Sequence, residues 1–226
     1  MTTLAENLAA VRLRIERAAE AAGRSHDAIK LVAVSKAMPA EAIREAYEAG
    51  QRRFGESYAQ EFEAKAKQLL DLTDIEWHFI GHLQSNKAKT VAPLAQVVHT
   101  IDSAPLAREL ARRVARANRD VLAVLIEVNV AAEPQKHGVL AGDLEDLIRA
   151  VRTEEVLELR GLMTVPPAGE PSVARRMFET LGTLRSLHGG IQRLPELSIG
   201  MSGDLEIAVA CGATLVRVGS DIFGPR

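Results

Sequence analysis

Lys36 stands directly after the apolar run LVAVS (31–35), and that placement gives it a chemistry. A lysine at the end of a buried strand loses hydration of its ammonium, so its pKa falls and the neutral amine attacks carbonyls to form imines. The plain alternative is a solvated loop lysine. Two other segments favour the reactive reading. ELSIGM (196–201) runs into Ser202-Gly203-Asp204, and ATLVRVG (213–219) runs into Ser220. Glycine lets backbone approach an anion closely and serine adds donors, a combination suited to phosphate. Taken singly, Ser202 reads as a helix N-cap and Gly219 as a tight turn. Arg217 lies between valines, so alternation puts Leu215, Arg217 and Gly219 on one face and Val216 and Val218 on the other. A buried guanidinium needs a partner, either a ligand atom or a carboxylate such as Asp102 or Glu56.

Other polar residues carry less. His78 and His82 are four apart in WHFIGH, a spacing that binds metals on a helix. Here the segment reads as strand then loop, so the rings are not expected to converge. No regularly spaced third ligand supports them, and no metal site is predicted. Asp102 in HTIDS closes a strand; it is either catalytic or a turn former ahead of Ser103, the expected N-cap of the next helix. Tyr47 falls in a helical pattern and Tyr58 after the second strand; neither is assigned as a catalytic acid. Cys211, the single cysteine, lies in an apolar helical run and reads as core. One cysteine allows no internal disulfide and suits a reducing compartment.

These side chains act together only if the elements beneath them bring them together. Eight short, mostly apolar runs recur along the chain: LVAVS (31–35), RRFGE (52–56), WHFIG (77–81), VVHTI (97–101), VLAVLIEVNV (121–130), ELRGLMTV (158–165), ELSIGM (196–201) and ATLVRVG (213–219). Helical periodicity fills the gaps, as in Leu106, Leu110 and Val114 of 104–118, and recurs in 140–152 and 172–188. Strands alternating with helices imply parallel pairing through right-handed crossovers. Eight units predict an α/β chain folded as a single (β/α)8 TIM-type barrel, residues 1–226 forming one domain. An opening helix is extra: Leu4, Leu8, Val11, Ile15 and Ala18 share one face, Thr3 and Glu6 form a capping box, and Gly23 ends it. A doubly wound open sheet competes, but no GxGxxG follows the first strand. In a barrel, the residues past the strand C-termini gather on one face, so Lys36, Ser202 and Ser220 are expected to meet.

Composition supports this class. The chain has 226 residues, 47% of them apolar but only 4% aromatic, enough for a sizeable aliphatic core. Its net charge of −2 and lack of a Lys/Arg run argue against nucleic acid as a partner. No stretch of eighteen apolar residues suggests a membrane span, and the N-terminus has no apolar signal core, so a cytoplasmic protein is expected.

Eight ordered blocks resemble one family, the pyridoxal 5′-phosphate (PLP) homeostasis proteins, which are related to the N-terminal domain of alanine racemase. They are LVAVSK, RFGESYAQE, WHFIGHLQSNK, HTIDS, VNVAAEPQKHG, GLMTVPP, LSIGMSGD and ATLVRVGSDIFG. The resemblance implies a fold-type III PLP site on one barrel. Lys36 matches the Schiff-base lysine and Arg217 the arginine facing the pyridine nitrogen. Ser202, Gly219 and Ser220 match the phosphate cradle, with Met201 beside it, and Ser57 and Asn86 match pocket positions. Where the family reads FGENY this chain reads FGESY, so Ser57 offers a shorter hydroxyl in place of an amide. Lys136 matches a family lysine suited to receiving the cofactor during exchange; a solvated loop lysine is its alternative.

The implied role is to hold PLP and support PLP and amino/keto-acid homeostasis without strong catalysis. Apo PLP-dependent enzymes would be the recipients, and the protein would be a monomer or weak dimer. Racemases of this fold take a second acid/base from a separate β-domain and a dimer partner, whereas this sequence ends at Arg226, seven residues beyond Gly219. A weak PLP-dependent amino-acid racemase is the nearest alternative, and a phosphosugar aldolase or isomerase using Lys36 on its substrate is a more distant one.

Overall fold

A computed structural model describes residues 2–224. All eight predicted strands form: β1 (Lys30–Val34), β2 (Arg53–Glu56), β3 (Glu76–Phe79), β4 (Val97–Ile101), β5 (Leu122–Asn129), β6 (Leu157–Met163), β7 (Glu196–Ser198) and β8 (Leu215–Val218). Each pairs in parallel with its neighbour in sequence, and β8 returns to β1, so the sheet closes into a TIM-type barrel. A two-residue strand, Val139–Leu140, pairs with the end of β5 outside the ring. It shortens the helix expected over 140–152: a 3-10 turn follows, and the helix proper is Leu144–Arg152.

Alternation along the strands separates two apolar clusters. Outward-facing Ala33, Val98, Val124, Val216 and Val218 pack into the large core beneath the helices. Inside the ring the apolar cluster is small: Val32, Val97, Ala123, Leu125, Met163 and Leu215. The remaining interior is polar, with His78, His99, Ser198 and Arg217 all buried. Arg217 therefore faces inward with Leu215, as alternation predicted.

The extra helix α1 (Leu4–Ala21) carries the predicted capping box and buries Leu8, Val11, Ile15 and Ala18. It packs against the short helices Leu205–Ala210 and Ser220–Phe223, which follow β7 and β8. This position matters for the mouth. Arg14 of α1 donates to the Ser202 carbonyl at 3.0 Å, pairs with Glu206 at 2.8 Å and reaches Asp221 at 2.5 Å. One side chain thus braces both loops that sequence assigned to phosphate.

Candidate functional site

A cavity of about 500 Å³ opens at the C-terminal mouth, between the ends of β1, β7 and β8. Lys36, Ser57, Met201, Ser202, Arg217, Gly219 and Ser220 line it together with Gly203 and the apolar Val34, Ile80 and Val165. Seven of the eight residues chosen from sequence therefore converge. Asn86 does not: it sits exposed on the turn Ser85–Lys87 and does not line the cavity. Its short helical turn carries it along the rim rather than inward. A second cavity of about 540 Å³ lies elsewhere, flanked by α1 and the start of β1. Of its cations, Lys30, Arg52 and Arg53 pair with Glu196, Asp74 and Glu76, while Arg12 donates to the Ala49 carbonyl at 3.2 Å.

The turn bearing Lys36 is over-determined. The Ser35 hydroxyl donates to Glu56 at 2.7 Å, and buried Lys65 donates to the Ser35 carbonyl at 2.7 Å and to Glu56 at 2.8 Å. Ala37 holds φ +62, a left-handed conformation costly for a residue with Cβ, and its N–H donates to Glu61 at 2.6 Å. Burial raises the Glu56 carboxyl, against the lowering by Lys65 and Ser35. Glu56 is thus committed to Lys65 and is not the partner of Arg217.

At the other wall, Ser202 and Ser220 bring their hydroxyl oxygens within 3.2 Å of each other. Ser202 is not an N-cap. Asp204 holds that position and accepts from the Met201 N–H at 2.5 Å, closing the turn and leaving the Ser202 hydroxyl to face Ser220. Gly200 enters this turn at φ +92, and a Cβ there would meet the Ala208 methyl at 2.5 Å, so only glycine fits. Gly219 occupies the N-cap of the helix beginning at Ser220.

Arg217 reaches neither Asp102 nor Glu56. It donates to the Ser198 carbonyl at 2.7 Å, the Ser198 hydroxyl at 2.5 Å and the Thr164 carbonyl at 3.1 Å. Burial lowers its pKa to about 10, which still leaves it charged at neutral pH. The guanidinium also begins a polar chain through the barrel. His99 Nδ1 lies 2.8 Å from Ser198 Oγ, and His99 Nε2 lies 2.8 Å from His78 Nδ1. His78 Nε2 ends the chain 3.2 Å from Glu76, close but too poorly aligned for a hydrogen bond.

Arginine can only donate and a carboxylate can only accept. The pattern that satisfies every link has Arg217 donating to Ser198, Ser198 to His99, and His99 to His78, with the His78 Nε2–H turned toward Glu76. Both imidazoles are then neutral, in agreement with burial pushing His78 down and His99 well down. Glu76 is lowered to about 2, first by His78.

Sequence reasoning missed this chain, and it missed Arg14. His78 and His99 carried a weak signal, since both sit inside strands with apolar neighbours. Arg14 looked like the polar face of a surface helix and carried none. The pair His78 and His82 diverges as expected: His78 enters the barrel, while His82 is exposed at the rim. Lys136 lies in the loop after β5, paired with Glu133 at 2.6 Å, and does not line the cavity. Cys211 is only partly buried and packs at the margin of the outer core.

The alanine racemase N-terminal-domain family model matches residues 7–226. Proteins named pyridoxal phosphate homeostasis protein align along the full chain. Those of Escherichia coli K12 and Pseudomonas aeruginosa are 44% and 45% identical over 100% of this chain, covering 98% and 97% of their own lengths. Among solved structures, PipY of Synechococcus elongatus without PLP superposes at a TM-score of 0.88 with 38% identity, over 98% of this chain and 100% of that one. PipY with PLP bound gives 0.86 and 37% at the same coverage. Alanine racemase from Corynebacterium glutamicum, at 19% identity and TM-score 0.64, shares the fold over 99% of this chain and 61% of its own. With full-length identity, the family match and the barrel in agreement, the chain belongs to the alanine racemase N-terminal-domain family, among the pyridoxal phosphate homeostasis proteins.

Proposed function

We propose that this chain binds PLP at the mouth cavity, carries it on Lys36 as a Schiff base, and supports PLP and amino/keto-acid homeostasis as a holder rather than an enzyme. One observation carries the reading: among the described residues lining the cavity, Lys36 and Arg217 are the only titratable side chains. The cavity's contents fit the cofactor. Ser202 and Ser220 present paired hydroxyls for the phosphate, the apolar walls Val34, Ile80 and Val165 suit a flat ring, and Lys36 supplies the amine for the aldehyde.

When bound, PLP supplies an electron sink, and the protein sets how strong that sink is. Arg217 is held by Ser198 and Thr164, so it brings a fixed positive charge that opposes protonation of a ring nitrogen beside it. Racemisation also requires an acid/base on each face of the substrate carbon. Beyond Lys36, no lining side chain among those described can take the second role. The site therefore favours retention over turnover. Apo PLP-dependent enzymes are the natural recipients, with the protein acting as a monomer or weak dimer inside the cell.

Incubation with PLP should produce a visible absorbance that borohydride fixes covalently to Lys36 and that Lys36→Ala abolishes. Arg14→Ala should keep the link but weaken PLP binding roughly tenfold, since it frees both serine loops. No Lys36-dependent adduct would overturn the PLP reading. Efficient racemisation of L-alanine by the loaded protein would overturn the holder half alone.

A further inference from the structure

Three consecutive barrel units each deliver one metal-type donor to the same arc of the mouth. His82 follows β3, Asp102 follows β4, and His137 ends the loop that leaves β5. His82 Nδ1 lies 3.4 Å from Asp102 Oδ2. The imidazoles of His82 and His137 stack with centroids 3.5 Å apart and planes within 8°. One donor atom from each of the three residues lies within 4.8 Å of the others. The nearby Lys136 is committed to Glu133 at 2.6 Å.

The loop is built to present His137. The Asn129 side chain donates to the Glu133 carbonyl at 2.8 Å and accepts from the Glu133 N–H at 3.1 Å, folding the loop back on its own strand. Gly138 follows at φ +105, packed so closely that a Cβ would meet the Asn129 nitrogen at 2.7 Å. His137 is thus held where the loop rejoins the barrel, over His82.

We propose that His82, Asp102 and His137 bind a divalent cation of the zinc class, with water completing the shell. Two imidazoles and one carboxylate suit Zn2+ or Co2+ and are a poor set for Mg2+ or Ca2+, which prefer oxygen. Bonds of about 2.0–2.2 Å require donors roughly 3.4 Å apart, so the cluster must contract slightly. Imidazole lone pairs lie in the ring plane, and the two rings must tilt out of their stack to meet one ion. Both residues lie at the exposed rim, and the tilt costs their mutual stack. The bound ion would tie the loop bearing Lys136 to the barrel rim.

The test uses the full chain stripped of metal and free of PLP, titrated with Zn2+ by calorimetry and with Co2+ by visible absorption. One ion per chain is expected, with a rise in Tm on Zn2+ addition. His82→Ala, His137→Ala and Asp102→Asn should each weaken binding at least about tenfold, the loss seen when even an outer-shell partner is removed. Asp102→Asn is near-isosteric and keeps the test valid if a histidine truncation disturbs the rim. His26→Ala removes a different exposed histidine, 3.3 Å from Asp27, and should leave affinity unchanged. Binding absent from the wild type, or unaltered by the three rim substitutions, would overturn the proposal.

Discussion

The barrel contains two histidine pairs that share a residue type and differ in nearly every physical respect. His78 and His99 meet edge to face at 68°, fully enclosed by strands, with three of their four ring nitrogens in well-aligned hydrogen bonds. His82 and His137 stack nearly parallel at the rim, open to water, with Asp102 alongside. Burial pushes both inner rings down and keeps them neutral. The outer His82 is also lowered, by partial burial and then by His137, but Asp102 opposes this. Enclosure turns an imidazole into a fixed dipole that holds Arg217; exposure leaves it able to turn toward a ligand. Within one barrel the same side chain serves as structure in one place and as a candidate ligand in the other.

The largest test of that contrast is His99→Ala. It strands the Ser198 hydroxyl and His78 Nδ1 inside the barrel and leaves a cavity, so a loss of about 2–4 kcal/mol is expected in urea unfolding. A loss below about 0.5 kcal/mol would mean the inner pair is no more structural than the outer one. The inner pair also predicts a pH slope. Both folded-state pKa values lie below the unfolded value, so unfolding takes up protons in acid. Stability is full above a pH of about 6.5 and falls as pH drops below it. His99→Ala should flatten that slope.

Glu127 stands between the two regions, raised to about 7 by burial and then by Asp102, with Arg217 pulling the other way. A carboxyl with a raised folded pKa holds its proton longer when folded, so stability is lost as pH rises from about 4.5 through 7. Glu127→Gln should therefore gain about 2 kcal/mol over wild type at pH 8 and match it near pH 5. Equal stability at both pH values would show that the charge is solvated. The smallest effect belongs to the rim. Metal-free His137→Ala should shift stability by less than about 0.5 kcal/mol, because an exposed ring with no buried partner contributes little.

Much of this architecture is legible locally. The eight strands and the capped opening helix follow from periodicity and from residues such as Thr3 and Glu6, which interact within one turn. Lys36, Ser202 and Ser220 are legible too, because in a closed parallel barrel a strand's end is also a place in space. Asn86 lies outside the cavity because that rule weakens there: it sits several residues past its strand, on the exposed turn Ser85–Lys87. Arg217 was correctly read as inward-facing, yet its partners are backbone carbonyls and a serine rather than the expected carboxylate. Alternation along a strand gives a side chain's direction but not its neighbour.

By itself, then, the amino-acid order determined the elements, their sequence around the ring, and which strand ends bear the lysine and the serines of the candidate site. Each of these depends on residues a few positions apart. Tertiary structure alone decided which distant groups meet. Arg14 grips the Ser202 carbonyl from 188 residues away, and His99 reaches Ser198 across 99. His82, Asp102 and His137 converge from three loops. Closure of β8 onto β1 and the packing of α1 against the seam set those distances, and no local pattern encodes them because their partners lie on separate turns of the barrel.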